Sequence, residues 1–229
     1  MSTIKMAPPI GRSERTRQVL VEATVRRLRA DGAFTAEQVA SDAGVSVATI
    51  YNRFPDGRDG LLVAAFDRVL DRVVAASTKP LTADHLLDHG LDSTLRSLVD
   101  GLVTVFAEEA LVMRAALARL PENRLLREAY RRHEAEARDA SRQFIERGQA
   151  AGRITDGDLD ELVDVVLVVG QGVNNPVLLG SARREQLIDH LTEALVAVLA
   201  PERLTQCPHR LTRVSSSTGV PSAGFASGY

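Results

Sequence analysis

The chain has 229 residues, 28 basic against 30 acidic groups, and a formal net charge of −2. That length can bury a substantial core, and 45% hydrophobic with 25% charged residues excludes wholesale disorder. A single Cys excludes an internal disulfide and the multi-cysteine zinc ribbons, and no apolar run of roughly 18 residues suggests a membrane span.

In chain order, helical periodicity dominates. Over 13–30 the apolar residues Val19, Leu20, Ala23, Val25 and Leu28 recur largely at three- and four-residue steps between Arg and Glu. Ser13 is the expected N-cap of this helix, and Asp31-Gly32 its end. A short helix is predicted from the N-cap Thr35 to about Asp42, broken by Gly44. Another runs from near Ser46 and stops before Pro55, whose ring disfavours helical geometry at Phe54. A longer helix follows over 58–77. Beyond Lys79-Pro80, helices are predicted over 82–109, 110–119, 121–151, 156–179 and 183–200. The run 162–169 has a strand-like composition. The acidic turn ahead of it (Asp156, Asp158, Asp160, Glu161) favours a helix, because carboxylates there oppose the helix dipole. From Thr205 onward the Ser, Gly, Pro and Thr content predicts a disordered tail.

The charge is polarised along these elements. Residues 1–30 carry seven basic and two acidic groups, a net of +5, whereas 61–200 carry 16 basic and 22 acidic, a net of −6. A basic end on an acidic body hints at a polyanion partner at one end. The opening MSTIKMAPPIGRSERTR lacks the apolar centre of a signal peptide, so a cytoplasmic protein is expected.

The informative segment is TAEQVASDAGVSVATIYNRFPDGRDGL, residues 35–61. It reads as two short helices joined by a tight turn. Val39 and Ala40 should face Val45 and Ile50, and Gly44 should supply the positive φ of the turn. The second helix then presents Ser46, Val47, Thr49, Asn52 and Arg53 on its rim, as a recognition helix requires.

Thr35, Val39-Ala40, Ala43-Gly44-Val45-Ser46, Ala48-Thr49-Ile50-Tyr51 and Phe54 together resemble the DNA-binding motif of the TetR family of bacterial transcriptional regulators. The resemblance covers about residues 13–75, including the helix that opens at Arg58-Asp59-Gly60-Leu61-Leu62. It implies an all-α fold: an N-terminal three-helix helix-turn-helix DNA-binding module followed by a helical ligand-binding and dimerisation domain. The implied divisions are a flexible basic arm (1–12), the DNA-binding module (13–77), the ligand and dimer domain (80–200) and the tail (201–229). By resemblance, Thr35, Ser46, Thr49, Tyr51 and Arg53 contact the DNA backbone, while Val47 and Asn52 face base edges. Arg58 binds a further phosphate near a helix N-terminus, and Arg12, Arg15 and Arg17 reach backbone or minor groove. The sequence departs from the family where its usual His before Phe is Arg53, and in a turn at 54–58 that is one residue longer than the common pattern.

The resemblance also implies a homodimer through the last two helices, about 156–200, reading a palindromic double-stranded DNA operator and released by a small-molecule effector. Leu162, Val163, Val165, Val166, Leu167, Val168 and Val169 are too apolar for a solvent-facing helix, which agrees with such an interface. Phe106, Met113, Tyr130, Phe144, Gln171 and Asn174 are the candidate pocket residues, since aromatic, Met and amide groups at helical spacing can line a cavity. No cofactor is expected. Two other functions fit the pattern: a TetR-like activator, and a helical small-molecule or metal-binding protein without sequence-specific DNA contact. A metal could use His85 and His89, one helical turn apart, with Asp88 or Asp92. Catalysis has little support, because Cys207 and His209 lie in the predicted tail and no phosphate loop, Ser-centred elbow or HExxH occurs.

Overall fold

The computed structural model describes residues 11–201; the first ten residues of the expected arm, with Lys5, and the tail with Cys207 and His209, lie outside the described residues. Among the described residues there are nine helices and no strands. The first is α1 (Arg12–Asp31), entered from Gly11 and closed by Gly32, whose φ of 69° lets its N–H donate to Leu28 O. Ser13 is therefore inside the helix and is not its cap. Arg12, Arg15 and Arg17 all belong to α1, so none of them is part of a free arm.

The next elements are α2 (Ala36–Ala43), α3 (Val47–Arg53) and α4 (Gly57–Thr78). Then comes α5 (Ala83–Leu117), which runs unbroken through the expected stop at 109–110. Its buried residues Val105, Phe106, Glu109, Val112, Met113 and Ala116 continue the three- and four-residue spacing across that point. The interruption lies instead at Gly90, where φ 80° and ψ 170° kink the helix. Asn123 caps α6 (Arg124–Ala150), its side chain accepting from Leu126 N at 3.1 Å.

Asp158 caps α7 (Leu159–Gly172), with Asp160 and Glu161 in the first turn. The expected single helix over 156–179 is in fact two. Pro176 cannot donate a backbone hydrogen bond and forces Asn175 out of helical geometry, so a short α8 (Pro176–Leu179) starts afresh with Asn175 as its cap. The last helix is α9 (Arg184–Leu199).

One hydrophobic core runs through all these layers, from Leu20, Ile50 and Phe66 at one end to Ile145, Leu195 and Leu199 at the other. Helix α4 packs on α1, α5 and α6, and α5 also meets α1 and α9. The α1–α5 seam holds a buried charge. Glu109 is fully buried and is gripped by Arg29 from α1 (Nε to Oε2, 2.9 Å) and by Arg72 from α4, which also reaches Glu108 at 2.5 Å. A carboxylate without exposure is tolerated only when paired, so this cluster fixes how α1 sits on the body.

Candidate nucleic-acid interface and ligand cavity

The turn between α2 and α3 is built from local signals. Thr35 Oγ1 accepts from Gln38 N (3.2 Å), and Gln38 Oε1 accepts from Thr35 N (2.9 Å), closing a capping box. Gly44 adopts φ 65°, and Val45 N donates to Ala40 O at 3.0 Å. Ser46 Oγ then caps α3 by accepting from Thr49 N (3.2 Å) and lies 2.9 Å from Thr49 Oγ1. Val39, Ala40, Ile50 and Phe54 are buried beneath, as the apolar stripe requires.

Outward, Thr35, Ser46, Tyr51, Asn52 and Arg53 are exposed, Tyr51 by 54%. Val47 and Thr49 are half-buried, and Val47 packs against the core, so it is less available to a base than the sequence suggested. Tyr51 lies across Gly57, which has φ 55°; a Cβ there would sit 2.7 Å from the Tyr51 Cε1. Only a residue without a side chain lets the tyrosine ring lie over that turn.

Two of the expected phosphate contacts have internal partners. Arg17 donates to the Arg53 carbonyl at 3.2 Å and stacks 4.3 Å from the centroid of Phe54. Arg58 donates to the Phe34 carbonyl at 3.2 Å and lies over the Phe34 ring. Both arginines brace the ends of the helix-turn-helix unit through a cation–π contact and a carbonyl. Sequence spacing could not reveal these braces, because the partners lie 36 and 24 residues away. Among the described residues, Arg12, Arg15, Arg17, Arg53 and Arg58 have no carboxylate within ion-pairing distance. These five arginines are therefore not neutralised by a direct internal ion pair.

A cavity of about 370 Å3 opens between α4, α5, α6 and α7. Five of the six residues proposed for it from the sequence line it: Phe106, Met113, Tyr130, Gln171 and Asn174. Phe144 does not; it is 2% exposed and belongs to the core. Its place on α6 looks equivalent by spacing, and only the packing of neighbouring helices separates the two roles. The rest of the wall is mostly aliphatic, including Leu70, Leu98, Leu102 and Val166.

The sequence reading missed the polar groups His133, Glu134 and Ser141 in this wall. Nothing marks them in the charged stretch that carries them. Both His133 nitrogens face acceptors, the Ala129 carbonyl and the Asp71 carboxylate, each at 2.8 Å. Glu134 accepts from Gln171 Nε2 at 3.0 Å. Burial, and then the nearby Glu134 charge, push the Tyr130 hydroxyl above its ordinary pKa.

The opposite face of this part of α6 lines a second groove of about 330 Å3, where Leu125, Ala129 and Arg132 meet Arg17, Arg53 and Phe54. Helix α6 thus stands between the cavity and the end of α3. The His85 and His89 rings lie with centroids 4.5 Å apart and planes tilted by 54°, and among the described residues no three His, Cys, Asp or Glu side chains are grouped to hold a metal ion. Nor, among them, is any helix long and apolar enough to cross a membrane.

No protein-family profile and no curated protein matches the chain. Solved structures do. A Mesorhizobium loti protein assigned to the TetR family of transcriptional regulators superposes with a TM-score of 0.67 at 19% identity, over 83% of this chain and 100% of its own. A TetR transcription regulator from Haloarcula marismortui gives 0.66 at 23% identity, covering 81% and 99%. The flavonoid-responsive regulator FrrA gives 0.60 at 21%, covering 83% and 100%. The class defined by the helices and by these likenesses is an all-α helix-turn-helix protein with a helical body. Its fold is that of the TetR regulators.

Proposed function

We propose that the chain is a ligand-responsive transcriptional regulator of the TetR type, a repressor that binds a palindromic DNA operator as a homodimer in the cytoplasm and is released by a small molecule. The observation that carries this reading is the capped α3, which holds Tyr51, Asn52 and Arg53 outward on a face whose arginines have no internal carboxylate. Residues 13–77 form the DNA-binding unit and 80–200 the ligand and dimer unit. Thr35, Ser46, Thr49, Tyr51 and Arg53 serve the phosphates, while Asn52 reads a base edge. Arg12 and Arg15, exposed at the start of α1, serve the flanking backbone. Arg17 and Arg58 set the position of α3 and α4 more than they touch DNA.

Dimerisation is supported by exposed apolar side chains on the last helices: Val168 on α7, Val177 on α8 and Val198 on α9, exposed by 69%, 75% and 42%. A twofold pairing there would set two α3 helices about 34 Å apart, one turn of DNA. A ligand in the cavity acts only through a difference in affinity between the DNA-competent and released states. Helices α4 and α6, each lining both cavity and groove, are the elements able to carry that difference. The ligand response of FrrA is a property of that protein; for this chain it supports a ligand-responsive reading without naming the ligand.

Selection of random duplexes by the purified chain tests the proposal. Enrichment of a palindrome, with affinity falling steeply with salt, is expected. Equal affinity for the enriched and scrambled duplexes at every salt concentration would overturn it.

A further inference from the structure

The cavity wall is uneven in charge. No Lys or Arg is among its lining residues, and the His133 ring is already held by the Asp71 carboxylate and the Ala129 carbonyl, so a carboxylate or phosphate entering it would lose its hydration without meeting a free counter-charge. The wall holds two other charged or chargeable groups beside the Tyr130 phenol, and they differ in what they have left to offer. His133 has both ring nitrogens occupied by Ala129 O and Asp71. Glu134 is half-buried, accepts one hydrogen bond from Gln171, and among the described residues has no cation within ion-pairing distance. Arg138, one turn along α6, is committed to Asp164 at 2.7 Å. A half-buried carboxylate with spare acceptor capacity therefore stands in the wall of a largely apolar chamber.

We infer that the ligand of this cavity is a lipophilic organic cation, its apolar body against Leu102, Phe106 and Met113 and its ammonium group on Glu134. This rests on the reading of the cavity as the effector site. The Tyr130 ring beside Glu134 adds a π face suited to a cation. The wider body favours the same sign, since residues 61–200 carry a net of −6 and attract cations. An ammonium on Glu134 forms a charge-assisted hydrogen bond, which a neutral alcohol of the same shape forms more weakly and an anion does not form at all.

Three probes that differ only at the head group test the assignment: phenylbutylamine, phenylbutanol and phenylbutyrate, titrated by calorimetry into the full-length chain. The amine is expected to bind about tenfold tighter than the alcohol, with the carboxylate weakest. Glu134→Gln should erase the gap between amine and alcohol while leaving the affinity for the alcohol unchanged. Glu136→Gln, at an exposed site on the same helix, should leave the gap intact. Equal binding of the three, preference for the carboxylate, binding of none, or an amine preference that survives Glu134→Gln would each overturn the assignment.

Release of the selected palindrome, followed in the same titrations, separates this inference from the regulator reading. Glu134-dependent amine binding that leaves DNA affinity untouched sinks the reading of the cavity as the effector site and keeps the cation site. DNA release by the alcohol or carboxylate, with no amine preference, sinks the cation site and keeps the regulator.

Discussion

On the α1–α3 face, Arg12, Arg15 and Arg53 stand free of carboxylates among the described residues. In the body, Arg96, Arg132, Arg138 and Arg142 each reach one, Arg96 three at once, while Arg114, Arg131 and Arg147 there reach none among the described residues and Arg27 of α1 is paired with Asp42, so the contrast is between these particular side chains. The same side chain performs two tasks. In the body it ties helices together, as Arg96 ties α5 to Glu185 and Asp189 of α9. On the outer face it carries charge that no internal partner neutralises, so a phosphate can pair with it without breaking an existing contact. Exposed ion pairs add little stability each, and the contrast bears mainly on where a polyanion can dock.

The sharpest way to break this comparison is at the junction of the two regions. Glu109→Ala strands Arg29 and Arg72 without their shared carboxylate and opens space in the α1–α5 seam. A loss of roughly 3 kcal/mol is expected, at the lower end for a broken buried pair because both arginines reach solvent. Denaturant midpoints measure it, and a loss below about 1 kcal/mol would mean the cluster does not hold the seam.

Next in size is the double change Tyr51→Ala with Arg53→Ala. Both side chains are exposed, so the folded chain should lose no more than about 0.5 kcal/mol. Affinity for the selected palindrome should fall by about a hundredfold, measured by fluorescence anisotropy, on the scale of two lost charged or polar contacts. A DNA affinity that survives the change would move the interface elsewhere.

Smaller again is Gly57→Ala, which places a Cβ against the Tyr51 ring at a left-handed φ of 55°. About 1–2 kcal/mol of stability should go, together with part of the DNA affinity as Tyr51 is pushed aside. Unchanged stability in a thermal melt would argue that the turn rearranges freely.

The smallest effect concerns pH. The hydrogen bond from Arg27, with its charge, holds the Asp42 carboxyl below its ordinary pKa. A lowered folded-state value gives stability that is present above the unfolded value, about 3.9, and is lost as pH falls through the folded one. Asp42→Asn should therefore flatten the acid-side fall in thermal midpoint below about pH 4. An unaltered acid limb would show that the α1–α2 pair contributes nothing there.

Legibility differed between the same two regions. The Thr35 cap, the Gly44 turn, the Ser46 cap and the stop before Pro55 are set by residues within a few positions of one another, and sequence pattern places them within a residue. The pocket was half readable. Phe106, Met113, Tyr130, Gln171 and Asn174 have the side chains a cavity needs, but so has Phe144, and only the approach of α4 and α7 decides which of them face empty space. The α5 kink and the split between α7 and α8 were missed. Gly90 lies inside a continuous helical apolar pattern, and Pro176 follows the apolar run of α7 closely enough that spacing alone does not separate α7 from α8.

By itself the sequence determined the all-helical character, the helix-turn-helix unit and the polarity of charge, because caps, glycine turns and helical periodicity are local. Tertiary structure alone decided that Glu109 joins α1 to α4 and α5, that Arg17 and Arg58 brace aromatic rings, and that Glu134 joins the wall of a largely apolar cavity. Each of those relations depends on groups brought together from distant parts of the chain by one shared core, which no local pattern encodes.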